Sequence, residues 1–277
     1  MGLLNIAQLT FLEARRRWLF WAVIILGLAY LVVFAIGFHF IYADLTRLMS
    51  TTMARLSESV NAFTLIGLYG VNFLVAILAI LLSVDTIAGE ISSGTIHAIV
   101  TKPLRRWEVV LGKWLGLAVM LCGFTVIMAG AVTATVKLIA GHTPPHLVEG
   151  IGLMALGGLI VLSLSLLGGT RLSTLTNGVV VFMLYGLAFL AGWIEQIGAT
   201  IRSETASIIG IIVSLIIPSE AMWKRAAYLM QPSFLRELGL SPFGAASSPS
   251  RAMVIYALVY IVVVVAVAIY SFQRRDL

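Results

Sequence analysis

Three groupings of residues in this chain have the types and spacing to do chemistry, and each demands something different of the backbone. His142 and His146 stand four apart, where a helix would bring two imidazoles onto one metal ion, but Pro144 and Pro145 between them forbid that helix. Gly112-Lys113 is the only Gly-Lys. A phosphate-binding loop would need a glycine five residues earlier and Ser or Thr next, whereas Trp107 and Trp114 occupy those places. The third grouping is ionic. Asp85, Glu90, Lys102, Arg105, Arg106, Glu108 and Lys113 crowd into one stretch of a chain that is only 11% charged. No acid pair and no nucleophile with its base falls at the middle of an apolar run, so the pattern offers docking and ion pairing rather than bond breaking.

The elements that must hold this stretch are apolar. Hydrophobic residues make up 60% of the chain and the mean hydropathy is +1.05, values outside the range of a soluble domain. Six runs are free of acidic and basic residues: 18–40, 62–84, 114–136, 151–169, 177–193 and 252–272. Most are close to the ~20 residues a helix needs to cross a bilayer core. The fold class expected is an all-α membrane protein with six transmembrane helices in one domain spanning 1–277. The formal charge of +6 comes from basic residues that flank these runs, as headgroup contacts do, and implies no nucleic-acid partner. Cys122 is the single cysteine, so no intrachain disulfide and no cysteine metal site can form.

Basic clusters set the expected orientation. Arg15, Arg16 and Arg17 precede the first run, the charged stretch follows the second, Arg171 follows the fourth, and Arg274 and Arg275 follow the sixth. The positive-inside tendency places all of these, with both termini, in the cytoplasm. Residues 195–251 then fall outside. Within them 206–217 is strongly apolar but reaches only ~18 Å at 1.5 Å per residue, too short to span. It is expected to be a re-entrant or external helical element, followed by an amphipathic helix near 221–230 that ends before Pro232; the alternative is a seventh crossing, which would put Arg274 and Arg275 on the other side. Ahead of the first run, Leu3, Leu4, Ile6, Leu9, Phe11 and Leu12 alternate with polar residues, as in a helix lying in the interface. Recurrent small residues, Gly152, Gly158 and Gly168 then Gly178, Gly186 and Gly192, suit close helix packing.

The charged stretch carries a more specific pattern: Gly89-Glu90, Gly94-Thr95, Lys102-Pro103, Arg106-Trp107-Glu108 and Gly112-Lys113. It resembles the loop between the second and third spans of ABC transporter permeases of the type-2 exporter family, and the six-run layout and arginine-rich end extend the resemblance over nearly the whole chain. That resemblance implies a transmembrane subunit of an ATP-driven exporter in a bacterial or archaeal plasma membrane. It also implies a second permease subunit, as homodimer or heterodimer, and an ABC-type ATP-binding subunit that holds ATP and Mg, with no cofactor in this chain. The loop would supply a cytoplasmic coupling helix that docks on the ATPase through Glu90, Gly94, Thr95, Ile96, His97, Ile99, Val100, Pro103, Arg106 and Glu108. No catalytic residue is expected here.

The residues themselves support a short helix in that loop. Thr95 can cap it, Ile96, Ile99 and Val100 form one apolar stripe, and Pro103 ends it. Such a stripe needs a protein partner or membrane lipid to cover it. Glu90 has a second reading, as an anion paired with Arg105, Arg106 or Lys113. A non-transporting membrane assembly protein or a passive channel would share the same spans. Copurification of an ATPase would distinguish the first, and conduction without nucleotide the second.

Overall fold

The computed structural model describes residues 2–48, 53–92, 105–201, 203–232 and 249–275. Everything regular in it is helical among these residues: α1 (Gly2–Arg16), α2 (Trp18–Leu48), α3 (Met53–Ser83), α4 (Ala88–Ser92), α5 (Arg106–Ala140), α6 (Leu147–Gly169), α7 (Thr174–Thr200), α8 (Glu204–Ile216), α9 (Ser219–Leu229) and α10 (Arg251–Gln273). Six of the helices are long and apolar enough to cross a membrane, and α8 with α9 forms a pair bent by 110°. The six apolar runs therefore become α2, α3, α5, α6, α7 and α10.

The helices outrun the apolar runs, since a backbone already hydrogen-bonded to itself has no reason to stop where lipid ends. The difference matters most in α7, which continues past Trp193 and so carries Glu195 within it. α3, α6 and one face of α5 form the interior, with Leu65, Leu68, Leu78, Leu121, Ile160 and Leu162 almost wholly enclosed. α2 lies outermost: Ile25, Val32, Val33 and Ile36 are exposed, tolerable only where the surroundings are lipid or another subunit.

Close contacts are made through glycine. A Cβ on Gly158 would meet Val75 at 2.6 Å and Leu121 at 2.9 Å, so α6 reaches α3 and α5 only because that position is bare. On α2, Tyr30, Phe34, Phe38 and Tyr42 stack at ring separations of 6.3, 5.8 and 6.3 Å, one helical turn apart. Tyr30 donates to the Gly67 carbonyl at 2.6 Å, fastening that ladder to α3.

The amphipathic N-terminal helix docks more tightly than an interfacial anchor needs to. Gly112 and Gly116, one turn apart on α5, let the α1 backbone approach until a Cβ on Gly116 would lie 2.5 Å from the Ala7 carbonyl oxygen. The opposite face, with Leu4 68% exposed, turns outward. α8 runs beside α7, with Gly210 against the Glu195 side chain, and the chain reverses at Ile217-Pro218 into α9. That helix then climbs along α6, from Ser219 and Met222 near Gly157 to Met230 against Gly150. The pair enters and leaves on one face of the bundle, opposite the face that bears α4, so it is re-entrant.

His142 and His146, in the link from α5 to α6, turn to different partners. His142 Nε2 lies 3.2 Å from Asn61 Oδ1, and His146, at φ 47°, faces Glu149 at 3.5 Å.

Two outcomes check this arrangement. Gly116→Leu puts a side chain where the Ala7 carbonyl now lies, so α1 should lift away and tryptic cleavage at Arg15 to Arg17 in proteoliposomes should accelerate. Partial burial holds the His142 imidazole below its usual pKa, so the folded protein takes up its proton later than the unfolded chain. Stability should therefore be full above pH ~6.5 and decline as pH falls below it. His142→Gln should flatten that part of the melting-temperature profile.

Candidate functional site

Of the residues expected to couple to a partner, Glu90 stands just beyond the end of α3, in α4, and Arg106 and Glu108 stand on the first turn of α5. The local sequence explains the shape where α3 ends. Ser83 and Thr86 return their hydroxyls to the carbonyls of Ala79 and Leu82, at 2.5 and 2.6 Å, competing with the regular ladder at its last turn. The chain turns and restarts as α4. Gly89 fits because the Asp85 carboxylate folds over it: a Cβ there would lie 2.2 Å from Asp85 Oδ1.

Lys113, on the second turn of α5, is 3% exposed. Its ammonium donates to the Thr86 carbonyl at 2.8 Å and pairs with the Glu90 carboxylate. Of the three cations open to Glu90 by sequence, the structure selects Lys113. Glu90 ends the stem that enters the charged loop and Lys113 belongs to the helix that leaves it, so the pair closes the loop at its base.

Further links radiate from this point. Arg17, between α1 and α2, bonds Asp85 Oδ2 at 3.2 Å and Glu13 at 2.7 Å. Asp85 Oδ1 accepts from Thr174 on the first turn of α7 at 3.1 Å. Asn177, one turn further, donates to the Ser165 carbonyl of α6 at 2.8 Å. Arg106 donates to the carbonyls of Gln273 and Arg275, each at 3.0 Å, at the α10 end where the helix dipole favours a cation. Arg275 in turn donates to the Thr170 carbonyl, and Arg171 bonds Ser271 at 2.9 Å. Arg17, Arg106, Arg171 and Arg275, all from the basic clusters of the sequence, thus gather on one face and hold the ends of the spanning helices.

The expected site divides accordingly. Glu90 is the anion of the buried clamp, and Arg106 ties α5 to α10. Glu108 accepts from the Arg105 backbone N–H at 3.1 Å and so caps its own helix. Gly94, Thr95, Ile96, His97, Ile99, Val100 and Pro103 lie outside the described residues.

Sequence reasoning missed Lys113 as a site residue, although the apolar residues on both sides of it signal burial. It also missed a second polar centre on the opposite face, where Lys224 of α9 bonds Glu195 of α7 at 2.6 Å and Tyr69 of α3 bonds Glu220 at 3.2 Å. Hydropathy placed those charges in an outer loop, and only the re-entrant fold brings them inside. The span hydroxyls of Thr125, Thr133 and Thr135 each donate to a carbonyl of their own helix, at 2.8, 2.9 and 2.9 Å.

Six candidate spans, a bent re-entrant pair and one face on which polar bonds join the helix ends describe a multi-pass membrane protein. The chain belongs to the ABC-2 family of transporter proteins, whose family model matches residues 4–277. It is similar to a protein of Stutzerimonas stutzeri named "Probable ABC transporter permease protein NosY", 30% identical over 165 residues. That alignment takes in 56% of this chain and 50% of the relative, so the chain spans about half the length of the relative it matches.

The clamp makes a definite energetic statement. Lys113→Met alone strands Glu90 in a nearly closed site, and breaking one side of a buried pair costs about 3–5 kcal/mol. The double variant Lys113→Met with Glu90→Leu removes both charges and should recover most of that loss, as read by reversible denaturant unfolding in mixed micelles.

Proposed function

We propose that this chain is the transmembrane permease subunit of an ATP-driven exporter in a plasma membrane, working with a second permease subunit and a separate ATP-binding subunit. The observation that carries the reading is the Glu90–Lys113 pair at the base of the charged loop, in a chain matched to the ABC-2 family along nearly its whole length. The name of the Stutzerimonas relative agrees with a permease role. ATP and Mg would reside in the partner, which docks on the loop through Gly94, Thr95, the stripe of Ile96, Ile99 and Val100, and the flanking His97 and Pro103.

In mechanical terms, a push on the loop meets a closed base. Displacement of the stem at Glu90 moves Lys113 with it, because separating the charges in a site closed to water is costly. α3 and α5 then move together rather than splaying. Arg17 and Asp85 pass the displacement to α1 and α7, and Arg106 passes it to α10. Each exposed link is weak, worth about 1 kcal/mol or less, but they act in parallel on one face. The loop face lies in the cytoplasm under this reading, with both termini beside it.

The reading is tested with the assembled complex. The tagged chain, purified in detergent, should bring down an ATP-binding subunit of the ABC type. Glu90→Ala should insert normally yet lower ATP hydrolysis by the reconstituted complex several-fold, and Gly94→Pro should reduce the amount of ATPase retained. Normal assembly, hydrolysis and transport in both variants would refute the coupling role. Nucleotide-independent conduction by the chain alone would instead support a passive channel.

A further inference from the structure

On the face opposite the loop, α6, α9 and α10 enclose an open groove of about 620 Å³ with an apolar trough and a charged mouth. We propose that this groove is a binding site for a glycerophospholipid with a primary-amine headgroup, its phosphate met by Arg225 and Arg251 and its ammonium by Glu149.

The order of residues along the helices gives the site its polarity. Glu149 and Arg251 stand on the first turns of α6 and α10, at one membrane boundary. Leu153 and Leu156 follow on one wall, Val254 and Leu258 on the other. Arg225 begins deeper on α9 but carries its guanidinium to the mouth, where Nη1 donates to the Pro249 carbonyl at 2.9 Å, two residues before Arg251. The mouth therefore holds two guanidiniums and a carboxylate over an apolar trough. Arg251 makes no ion pair or hydrogen bond among the described residues, and Glu149 meets only the exposed His146 among them, at 3.5 Å. Guanidinium groups suit phosphate oxygens, and a carboxylate beside them suits an ammonium rather than a second anion.

Dimensions and surroundings select a lipid. From Glu149 to Leu156 the wall descends about 10 Å at 1.5 Å per residue, against ~15 Å for half of a bilayer core of ~30 Å. The trough therefore takes the upper part of an acyl chain within one leaflet and does not continue as a passage. Its α10 wall runs directly into a lipid-exposed flank, with Ile255 63% and Val262 68% exposed, so a chain can enter sideways. A second copy seated on its own groove by two-fold symmetry would bring like arginines together.

The test uses the full chain, purified in detergent and examined by native mass spectrometry with equimolar phosphatidylethanolamine and phosphatidylglycerol. The wild type should retain the amine lipid over the glycerol lipid by about tenfold, the scale of one charge-assisted contact. Arg251→Ala, a change at an exposed side chain, should lower total retained lipid by a similar factor. Glu149→Gln should abolish the headgroup preference while leaving total retention high. Equal retention by the wild type and Arg251→Ala would overturn the proposal, as would absence of any headgroup preference in the wild type. Displacement of the lipid by inorganic phosphate would reduce the site to an anion site and equally overturn it. So would an intermolecular disulfide through Ile255→Cys in a Cys122→Ala background, which would show a second copy covering the groove.

Discussion

A buried ammonium must be answered, and the architecture of the loop face follows from how Lys113 is answered. Its place on α5, seven residues beyond Arg106, puts the charge level with the end of α3, where helix-terminal carbonyls lack partners of their own kind. The Thr86 carbonyl supplies one acceptor and Glu90 the opposite charge. Both come from the short segment that leaves α3, so that segment has to fold back toward α5 rather than run out along the membrane surface. The turn, the bare Gly89 beneath Asp85 and the restart as α4 are the backbone's way of meeting that requirement.

The remaining polar links on this face differ in kind. Arg17 with Asp85, Arg106 with the end of α10, and Arg171 with Ser271 are partly open to solvent and individually weak. Their value lies in where they stand, since each bridges elements far apart in sequence. The opposite face has deeper single contacts, such as Lys224 with Glu195, and shallower surface ones. One face is thus a broad lattice of modest bonds around a single strong clamp. The other is organised around the bent hairpin of α8 and α9.

How much of this was legible in the sequence depended on range. The spans were legible because a charge-free run of about 20 residues has few other uses, and the short apolar piece 206–217 betrayed the re-entrant pair by its length. The clamp was half legible. Glu90 and a nearby cation were visible, but the choice of Lys113 over Arg105 or Arg106 depends on how α5 rotates against α3, and that depends on tertiary packing such as Gly158 of α6 against both Val75 of α3 and Leu121 of α5. Small residues gave mixed signals for the same reason: Gly158 and Gly168 are pressed by neighbours, whereas Gly152 and Gly186 face open space. The polar centre of Glu195, Glu220 and Lys224 was illegible, because it exists only once a segment of outer-loop composition is folded back among spanning helices.

The hairpin of α8 and α9 has a bearing on how the chain is made. A segment leaving the ribosome is sorted into lipid by its own hydrophobicity, and α9, with Glu220, Lys224 and Arg225 on it, would not enter alone. It finds an acceptable environment only after α7 has presented Glu195, α3 has presented Tyr69 and α6 has set down the bare backbone at Gly150 and Gly157. Insertion of this piece is therefore a late step of tertiary folding rather than of translocation. During synthesis the chain must pass through a stage in which its spanning helices are threaded while the cleft destined for α9 still stands open to water or lipid.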